Sequence, residues 1–208
     1  MKRVQMILMT KSYKDGGYCV TGIDYNNGEW IRLVSTQMGG PISYDVIDKN
    51  PFKRCLDIIE VDLLSHCPVT CQQENFLIDE QRIINVVGQV DIDYVIRKYA
   101  SIDEKIFGNR GKAVHIDDIY FLNHSVELKI VKDLQISSKR IDGEWENGCS
   151  FTIGKAKYED IYLTDPNFRN GEELDLFIGD AAIVVSVPNA PIYDCWFSKF
   201  VAKVFPLN

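Results

Sequence analysis

The triplet Trp30-Ile31-Arg32 holds the side chains best suited to contact a ligand. If the segment is a β-strand, Trp30 and Arg32 share one face, and Ile31 and Leu33 share the other. An aromatic ring beside a guanidinium can stack on a nucleic-acid base and contact a phosphate. Two orientations are open. Either Ile31 and Leu33 point into the core and the Trp-Arg pair forms an exposed platform, or Trp30 points inward and Arg32 must be paired or extend its stem to solvent.

The first fourteen residues are a second candidate because they are basic. They carry Lys2, Arg3, Lys11 and Lys14 and no acidic residue. Affinity for phosphate comes mostly from Lys and Arg side chains that displace counterions. A strand edge whose charges discourage aggregation would have the same composition. The ligand-binding residues that we predict from this part of the chain are Lys11, Ser12, Lys14, Tyr18, Trp30 and Arg32.

The pair Gly16-Gly17 raises the question of a phosphate-binding loop. Such loops open a helix and hold a Lys or a Ser/Thr beside converging amides. Here a strand pattern follows the glycines, so we expect them to permit a close approach of the chain at the start of that strand. The neighbouring Lys11, Ser12 and Lys14 keep a contact with an anion open.

The other reactive side chains match no catalytic or metal-binding pattern. His66, Cys67 and Cys71 are residue types that bind zinc, but no second Cys or His pair completes the set. We expect buried thiols and a loop histidine there, with no metal and no cofactor. Carboxylates that are neighbours on a strand face opposite ways, so paired acids are expected at turns or helix caps. These pairs are Asp117-Asp118, Asp91-x-Asp93 and Glu159-Asp160.

Composition limits the classes of protein that fit. The chain has 208 residues, of which 46% are hydrophobic and 25% charged, as in ordinary folded proteins. A net charge of −7 opposes a general coating of polyanions. The apolar run Val4 to Met9 is too short for a signal peptide or a membrane span. We therefore expect a cytoplasmic protein with reduced cysteines and no membrane partner.

Strand patterns dominate the chain. Asn26-Asn27-Gly28 separates two apolar runs, and Asn-Gly is a strong hairpin signal because both residues tolerate positive φ. We therefore predict that Tyr18–Asp24 pairs with Glu29–Ser35. The alternation in Ser125–Ser137 changes phase at Val131, which predicts a bulge or bend.

About five strands fall in each half of the chain, and helical spacing between Asp91 and Lys105 separates the halves. We predict a mainly β fold of two tandem small OB-like β-barrels joined by a helical connector. The predicted boundaries are 1–90 for the first barrel, 91–112 for the connector and 113–208 for the second barrel. A single β-sandwich is the structural alternative, because strand number does not distinguish the two.

Several segments resemble one protein family. SYKDGGYCVTG at 12–22 and EWIRLVS at 29–35 are similar to the opening of the bacterial dual OB domain family. Its members typically begin with Ser-Arg-Lys-x-Gly-Gly-Arg-Cys-Val-Ala-Gly, followed by Trp-Ile-Arg-Pro-Val-Ser. Further likenesses are LDIIEV at 56–61, QEN at 73–75 and TDP at 164–166, so the resemblance covers nearly the whole chain.

The resemblance implies two OB-like barrels and a nucleic-acid or nucleotide-binding role, often in bacterial defence. It implies no catalytic residues. The chain departs from the pattern at Tyr13 and Tyr18, where the family has Arg, and at Leu33, where it has Pro. These changes remove two cations, although a tyrosine ring can stack on a base instead.

We therefore expect a non-enzymatic module that binds single-stranded RNA or DNA, or a nucleotide, through the first hairpin. The alternative is a protein–protein adaptor with an acidic surface and aromatic residues in its second half. Those aromatic residues are Tyr193, Trp196, Phe197 and Phe200. A hydrolase acting on nucleotides is the least favoured hypothesis, because no nucleophile or metal pattern supports it.

Overall fold

The computed structural model describes residues 1–14, 16–49, 51–141, 143–168 and 173–207. Asp15 of the opening motif lies outside these ranges. The strands are β1 (Lys2–Lys14), β2 (Gly17–Asp24), β3 (Trp30–Val34), β4 (Asp57–His66), β5 (Asn75–Ile78), β6 (Asn85–Gln89), β7 (Ala113–His115), β8 (Val126–Ile141), β9 (Glu144–Ile153), β10 (Ala156–Leu163), β11 (Asp175–Ser186), β12 (Trp196–Ser198) and β13 (Phe200–Pro206). The helices are α1 (Tyr44–Asp48), α2 (Ile92–Tyr99) and α3 (Ile116–Ile119).

The first half forms a ring of five strands. The strand order is β1-β2-β3-β5-β4, and β4 pairs back to β1, while β6 pairs with the first residues of β4. The pairs are antiparallel except for β3 and β5, which run parallel. Alternate residues of these strands, such as Met6, Leu8, Val20, Ile31 and Leu33, fill the interior.

The predicted hairpin is confirmed. β2 pairs with β3 in antiparallel register from Ile23 opposite Trp30 to Val20 opposite Leu33. Gly28 has a φ of 79°, which glycine adopts without strain. A Cβ at Gly28 would also lie 2.8 Å from the ring of Tyr99, so this turn has space only for glycine.

The second half forms a closed barrel with the same order, β8-β9-β10-β13-β11. Its third and fifth strands, β10 and β13, are again the parallel pair. Two five-stranded barrels of one topology confirm the OB-like prediction, and the single sandwich is wrong. The bend predicted near Val131 is present, because the pairing of β8 with β11 shifts register between Val131 and Leu134, and Asp133 has a φ of 53°.

A third apolar cluster joins the two barrels. Three side chains on the outer face of the first barrel pack against Leu128 and Val184 of the second barrel. They belong to Ile7, Met9 and Ile23. This packing explains why Met6 to Met9 is apolar at every position. One set of residues faces the first barrel's interior, and the other set faces the second barrel. Helix α2 covers the edge of this cluster with Val95, which is fully buried.

The segment between the barrels is less helical than predicted. Asp91 caps α2 by accepting a hydrogen bond from the Tyr94 amide at 2.9 Å, but the helix ends at Tyr99. The backbone carbonyls of the residues that follow accept hydrogen bonds from buried lysines. Lys129 Nζ donates to the carbonyls of residues 103 and 105, and Lys199 Nζ donates to that of residue 109. In a helix these carbonyls would bond within the helix, so the lysines hold the segment in an irregular conformation. Among the described residues, no helix is long and apolar enough to cross a membrane.

Lys199 makes the stability of the protein depend on pH. Its side chain is fully buried beside Asn109, Glu127, Lys129 and the Tyr158 ring. Burial lowers the pKa of Lys199 to about 7, Glu127 opposes the shift, and Lys129 adds to it. The unfolded chain keeps a lysine pKa near about 10.4 and therefore binds more protons above pH 7. We expect the free energy of unfolding to rise by about 1 kcal/mol per pH unit from pH 7 towards pH 9.

Urea denaturation at several pH values measures this slope. The Lys199→Met variant is the matched control, because it keeps most of the side-chain volume and removes the titrating amine. Its curve should be flatter than that of the unmodified protein in the same range. Parallel curves for the two proteins would contradict the assignment to Lys199.

Candidate functional site

A cavity of about 330 Å³ lies between the two barrels, and we call it the interbarrel pocket. The first barrel contributes the C-terminal end of β1, parts of β2 and β3, and the segment between β4 and β5. These residues are Ser12, Tyr13, Lys14, Cys19, Arg32 and Gln72. The second barrel contributes the residue after β10, the end of β11 with the loop that follows it, and the start of β13. Its principal residues are Thr164, Ser186, Pro188, Asn189, Ile192 and Phe200.

Arg32 forms the polar floor of this pocket. Its Nε and Nη2 atoms both donate to Glu74 Oε1 at 3.2 Å, and Nη2 also donates to Ser125 Oγ at 2.7 Å. Ser125 precedes β8, so this network connects the two barrels. The Ser125 amide donates to Glu74 Oε2 at 3.2 Å, and the Ser125 hydroxyl donates to Glu74 Oε1. Both charged side chains are nearly inaccessible to solvent.

The guanidinium of Arg32 is charged and has one N–H group left for a ligand. Burial alone would lower the pKa of Arg32, but the Cys19 thiol and the Glu74 carboxylate outweigh burial and raise it. A guanidinium carries five N–H groups. Four of them have the acceptors named above or Cys19 Sγ. The second hydrogen of Nη1 has no acceptor among the described residues.

Aromatic and apolar side chains form the walls of the pocket. Tyr13 is 40% exposed and lies at the first barrel's side, where its ring stacks on that of Tyr18. Phe200 is half-buried and lies on the opposite side, beside Pro188 and Ile192. Lys14 adds a cation, and its Nζ donates to the Gly39 carbonyl at 2.7 Å. The pocket therefore offers ring faces together with a few hydrogen-bond donors.

The two connecting segments that border the pocket are bonded to each other. Gln72 Nε2 donates to the Val187 carbonyl at 3.2 Å, and Thr70 Oγ1 donates to the Asn189 carbonyl at 2.9 Å. Asn189 Nδ2 in turn donates to the Met38 carbonyl at 3.2 Å. These bonds hold the walls of the pocket in place before any ligand binds.

OB folds bind ligands on the face of their second and third strands and on the loops beside them. In the first barrel these elements are β2, β3 and the segment between β4 and β5. The corresponding segment of the second barrel, between β11 and β13, reaches the same place. The interbarrel pocket is therefore formed where the binding elements of one barrel meet a binding loop of the other.

The structure distributes the six predicted ligand-binding residues over three places. Ser12, Lys14 and Arg32 line the interbarrel pocket. Lys11 Nζ and the Tyr18 hydroxyl instead contact Asp48 of α1, at 2.9 and 2.7 Å. Burial and the hydrogen bond to Asp48 raise the pKa of Tyr18. Trp30 lies in a different cleft, which Glu74 and Phe76 also line. The single hairpin surface that we predicted is thus divided.

The structure answers two questions about exposure that the sequence left open. Ile31 and Leu33 do point into the first barrel, but Arg32 is only 4% exposed because the second barrel covers the outer face of β3. The basic start of β1 is not a free cationic surface either. Arg3 Nε lies 2.8 Å from Asp62, which also pairs with Arg82, and these arginines hold the pKa of Asp62 at about 2.

The glycine pair has the structural role that we expected. A Cβ at Gly17 would collide with the carbonyl of Ile42. Tyr18 and Ile42 exchange backbone hydrogen bonds at this point, with the Tyr18 amide donating at 2.7 Å. Gly17 therefore allows a close approach of two backbones at the start of β2, which is a strand and not the helix that a phosphate loop requires.

The cysteines and the histidine of HCPVTC are separated in the fold. Cys71 is fully buried, its Sγ lies 3.8 Å from the Pro188 carbonyl, and burial raises its pKa to about 11. Cys67 Sγ lies 3.8 Å from the Asn75 carbonyl, and His66 packs on Phe76 with ring centroids 4.9 Å apart. Within the described part of the chain, no three His, Cys, Asp or Glu residues are grouped closely enough to hold a metal ion.

The carboxylate pairs have mixed outcomes. Asp91 is a helix cap, as predicted, and Asp117 and Asp118 lie in the first turn of α3. Glu159 and Asp160 are not in a turn but in β10, where Asp160 has a φ of 52° at a register shift. Hydrogen bonds from Lys139 and Lys112 lower the pKa of Asp160.

Sequence reasoning missed the second barrel's contribution to the pocket. Pro188, Asn189 and Ile192 lie in a stretch that has no ligand motif, and Phe200 alternates within a strand like a core residue. Their role depends on contacts across the two barrels, which no local pattern contains.

Comparison with known proteins gives one result. The family model of the dual OB-containing domain matches residues 4–204. Searches of curated proteins and of solved structures found no significant match.

Proposed function

Because the chain belongs to the dual OB-containing domain family, we propose that it is a non-enzymatic module that binds single-stranded nucleic acid and takes one nucleotide into the interbarrel pocket. The observation that carries this proposal is the meeting of both barrels' binding elements at one cavity. A free nucleotide would use the same contacts, and the competition experiment below distinguishes it from a strand.

The contents of the pocket suit a nucleotide. Its volume of about 330 Å³ lies at the lower end of the range for small-molecule sites. A base can stack on the ring of Tyr13 or Phe200, and base–aromatic stacking contributes about 1–3 kcal/mol per base. The remaining N–H of Arg32 and the Lys14 ammonium are donors for a base carbonyl or a phosphate oxygen.

A single-stranded nucleic acid has a path out of the pocket over the surface of the second barrel. The Phe200 ring packs on Tyr162 with centroids 5.9 Å apart. Tyr162 in turn lines a second cavity of about 160 Å³, on the face of β9 and β10, together with Lys112 and Lys139. Neighbouring nucleotides can stack along this pair of rings, and the two lysines lie where a phosphate would pass.

The charges along this path favour stacking over phosphate contacts. Lys112 and Lys139 both pair with Asp160, at 3.2 and 2.5 Å, and Arg32 is paired with Glu74. We therefore expect only one or two phosphates to be neutralised. For a single strand each such contact changes the slope of log K against log salt by about −0.7, so the expected slope is about −0.7 to −1.4.

We expect Tyr13→Ala and Phe200→Ala each to weaken the binding of short single-stranded oligonucleotides by about 5- to 150-fold, because each removes a stacking ring. Fluorescence anisotropy with labelled oligo-dT and oligo-U at two salt concentrations measures the change. Phe121→Ala is the matched control, since Phe121 is 86% exposed and lies outside the pocket.

Competition with nucleoside monophosphates then identifies the ligand's form. If the ligand is single-stranded nucleic acid, we expect monophosphates to compete only weakly. If the ligand is a free nucleotide, we expect monophosphates to displace the oligonucleotide fully at low concentration. No binding of either probe at low salt, or equal affinity in the unmodified protein and both pocket variants, would refute the proposal.

A protein–protein adaptor is the second candidate, and one observation favours it. Tyr193 and Trp196 are 61% and 48% exposed, and they are neighbours because the Trp196 amide, at the start of β12, donates to the Tyr193 carbonyl at 2.7 Å. The other two aromatic residues first considered for this role are less accessible, because Phe197 is buried and Phe200 lines the pocket. An apolar interface would be nearly indifferent to salt, so the salt series above also separates the two functions.

A further inference from the structure

Two of the predicted ligand-binding residues, Lys11 and Tyr18, do not line the interbarrel pocket but belong to an aromatic surface of the first barrel. The Lys11 Nζ atom lies 5.7 Å from the centroid of the Tyr18 ring and 4.0 Å from that of the Phe52 ring. The Tyr44 ring packs edge-on against Tyr18, with centroids 4.7 Å apart. The guanidinium carbon of Arg54 lies 5.9 Å from the Phe52 centroid. We call these five residues the Phe52 patch.

The patch presents two aromatic rings to solvent. Phe52 is 51% exposed even with Lys11 against its ring, and Tyr44 is 40% exposed. The neighbouring Lys53 holds Phe52 in this position. Lys53 is buried, and its amide donates to the Ile47 carbonyl at 3.0 Å. Because Lys53 is anchored inward, the ring of Phe52 is kept at the surface.

Arg54 is the cation of the patch that is left for a ligand. Its side chain is exposed, and within the described part of the chain its guanidinium forms no ion pair. The two carboxylates of α1 are already paired, Asp48 with Lys11 at 2.9 Å and Asp45 with Lys49 at 2.6 Å. These pairs weaken the repulsion that the carboxylates would exert on a phosphate.

The patch is continuous with the interbarrel pocket through Tyr13. The Tyr13 ring lines the pocket and stacks on the Tyr18 ring with centroids 5.9 Å apart. Tyr18 in turn contacts both Tyr44 and Lys11. The aromatic surface that begins at the pocket wall therefore extends over β1 and α1 to Phe52. This surface lies on the first barrel, whereas the path through Phe200 lies on the second.

We propose that a single-stranded nucleic acid bound at the interbarrel pocket continues over the Phe52 patch, where a base stacks on the Phe52 ring and a phosphate pairs with Arg54. This inference rests on the proposed function, and it adds a contact surface on the first barrel. Phe52 and Arg54 have the same sequence spacing as Trp30 and Arg32, but here both side chains are exposed. An exposed ring beside an unpaired guanidinium can stack on a base and contact a phosphate.

Oligo-dT of two lengths, about 4 and about 16 nucleotides, tests this path, because these lengths are the limits of the site size of one OB fold. The short strand fills the pocket with few nucleotides to spare, whereas the long strand also reaches Phe52. We expect the long strand to bind at least about fivefold more tightly. Its slope of log K against log salt should be more negative by about 0.7, because Arg54 neutralises one further phosphate. Fluorescence anisotropy measures both quantities.

Two variants locate the contact. Phe52→Ala should weaken the binding of the long strand by about 5- to 150-fold, whereas Phe52→Tyr keeps a ring and should retain the affinity. Arg54→Gln should make the salt slope of the long strand less negative by about 0.7. Neither variant should change the affinity for the short strand. Phe121→Ala and Arg97→Gln are the matched controls, since both residues are exposed and lie outside the patch.

The pocket and the patch fail in different ways. Absence of binding to both strands at low salt would refute the two proposals together. If the short strand binds in a way that depends on Tyr13, and the long strand binds Phe52→Ala and Phe121→Ala equally well, the patch alone is refuted. The exposed rings would then be assigned to a protein partner. An equal loss for both lengths in Phe52→Ala would also overturn the patch, because the substitution would then act by perturbing the pocket.

Discussion

Arg32→Ala should lower the free energy of unfolding by about 3–5 kcal/mol, because it leaves the Glu74 carboxylate buried and without its counter-charge. Glu74 is 6% exposed and receives two hydrogen bonds from Arg32. The lost guanidinium also donated to Ser125, so the variant removes a connection between the barrels as well. Urea denaturation, followed by tryptophan fluorescence and by circular dichroism, measures the loss.

The double variant Arg32→Met/Glu74→Met separates the two contributions. Replacing a complete buried ion pair by apolar residues of similar size is often neutral or stabilising. We therefore expect the double variant to recover most of the stability that Arg32→Ala loses. A double variant as unstable as the single one would mean that packing, and not the uncompensated carboxylate, accounts for the loss.

This result affects how the binding site must be tested. A variant that lacks Arg32 would lose stability and ligand binding together, so loss of binding in it would say little about contacts with a ligand. Tyr13 and Phe200 are better positions, because neither belongs to the ion-pair network. The exposed Tyr13 is the safer of the two for folding.

The sequence predicted those parts of the fold that depend on neighbouring residues in the chain. Asn26-Asn27-Gly28 predicted the hairpin of β2 and β3 because the tolerance of a positive φ, which Gly28 adopts here, is a property of the residue itself. The phase change in the pattern predicted the bend of β8 for a similar reason. Helical spacing correctly placed α2, which ends at Tyr99. The irregular path beyond it depends on Lys129, whose Nζ binds the carbonyls of residues 103 and 105, which lie 26 and 24 residues away in the sequence.

The candidate site could be predicted from the sequence only in part, because it forms between two barrels. Alternation correctly assigned Arg32 and Ile31 to opposite faces of β3, but it could not show that a second barrel covers the outer face. Because the second barrel covers this face, Arg32 is not an exposed cation but forms the floor of the interbarrel pocket. Trp30, on the same face of β3, lines a different cleft together with Glu74.

Asp165, in the Thr164-Asp165-Pro166 segment, is a buried acceptor of several hydrogen bonds. The amide of Asn167 donates to Asp165 Oδ1 at 3.0 Å, as is common for an aspartate at a turn. The larger part of its environment comes from β13. Lys203 Nζ donates to both carboxylate oxygens, at 3.1 and 2.9 Å, and the Val204 amide adds a third donor at 2.9 Å.

We expect Asp165→Ala to cost about 3–5 kcal/mol of unfolding free energy, because Asp165 is 1% exposed and Lys203 would remain buried without a partner. Asp165→Asn keeps an acceptor for the Val204 amide and should lose less. Asp118→Ala, at an exposed aspartate, is the control and should change stability by less than about 0.5 kcal/mol. Thermal and urea denaturation provide the measurement.

The location of this ion pair extends its effect to the pocket. Asp165 follows Thr164, whose carbonyl accepts a hydrogen bond from the Tyr13 amide at 3.3 Å, and Lys203 lies on the strand that begins with Phe200. Loss of the pair should therefore loosen two walls of the interbarrel pocket. In Asp165→Asn, oligonucleotide affinity should fall more than in Asp118→Ala even at temperatures where both variants are fully folded. Equal affinities there would show that the pair stabilises the second barrel without positioning the pocket.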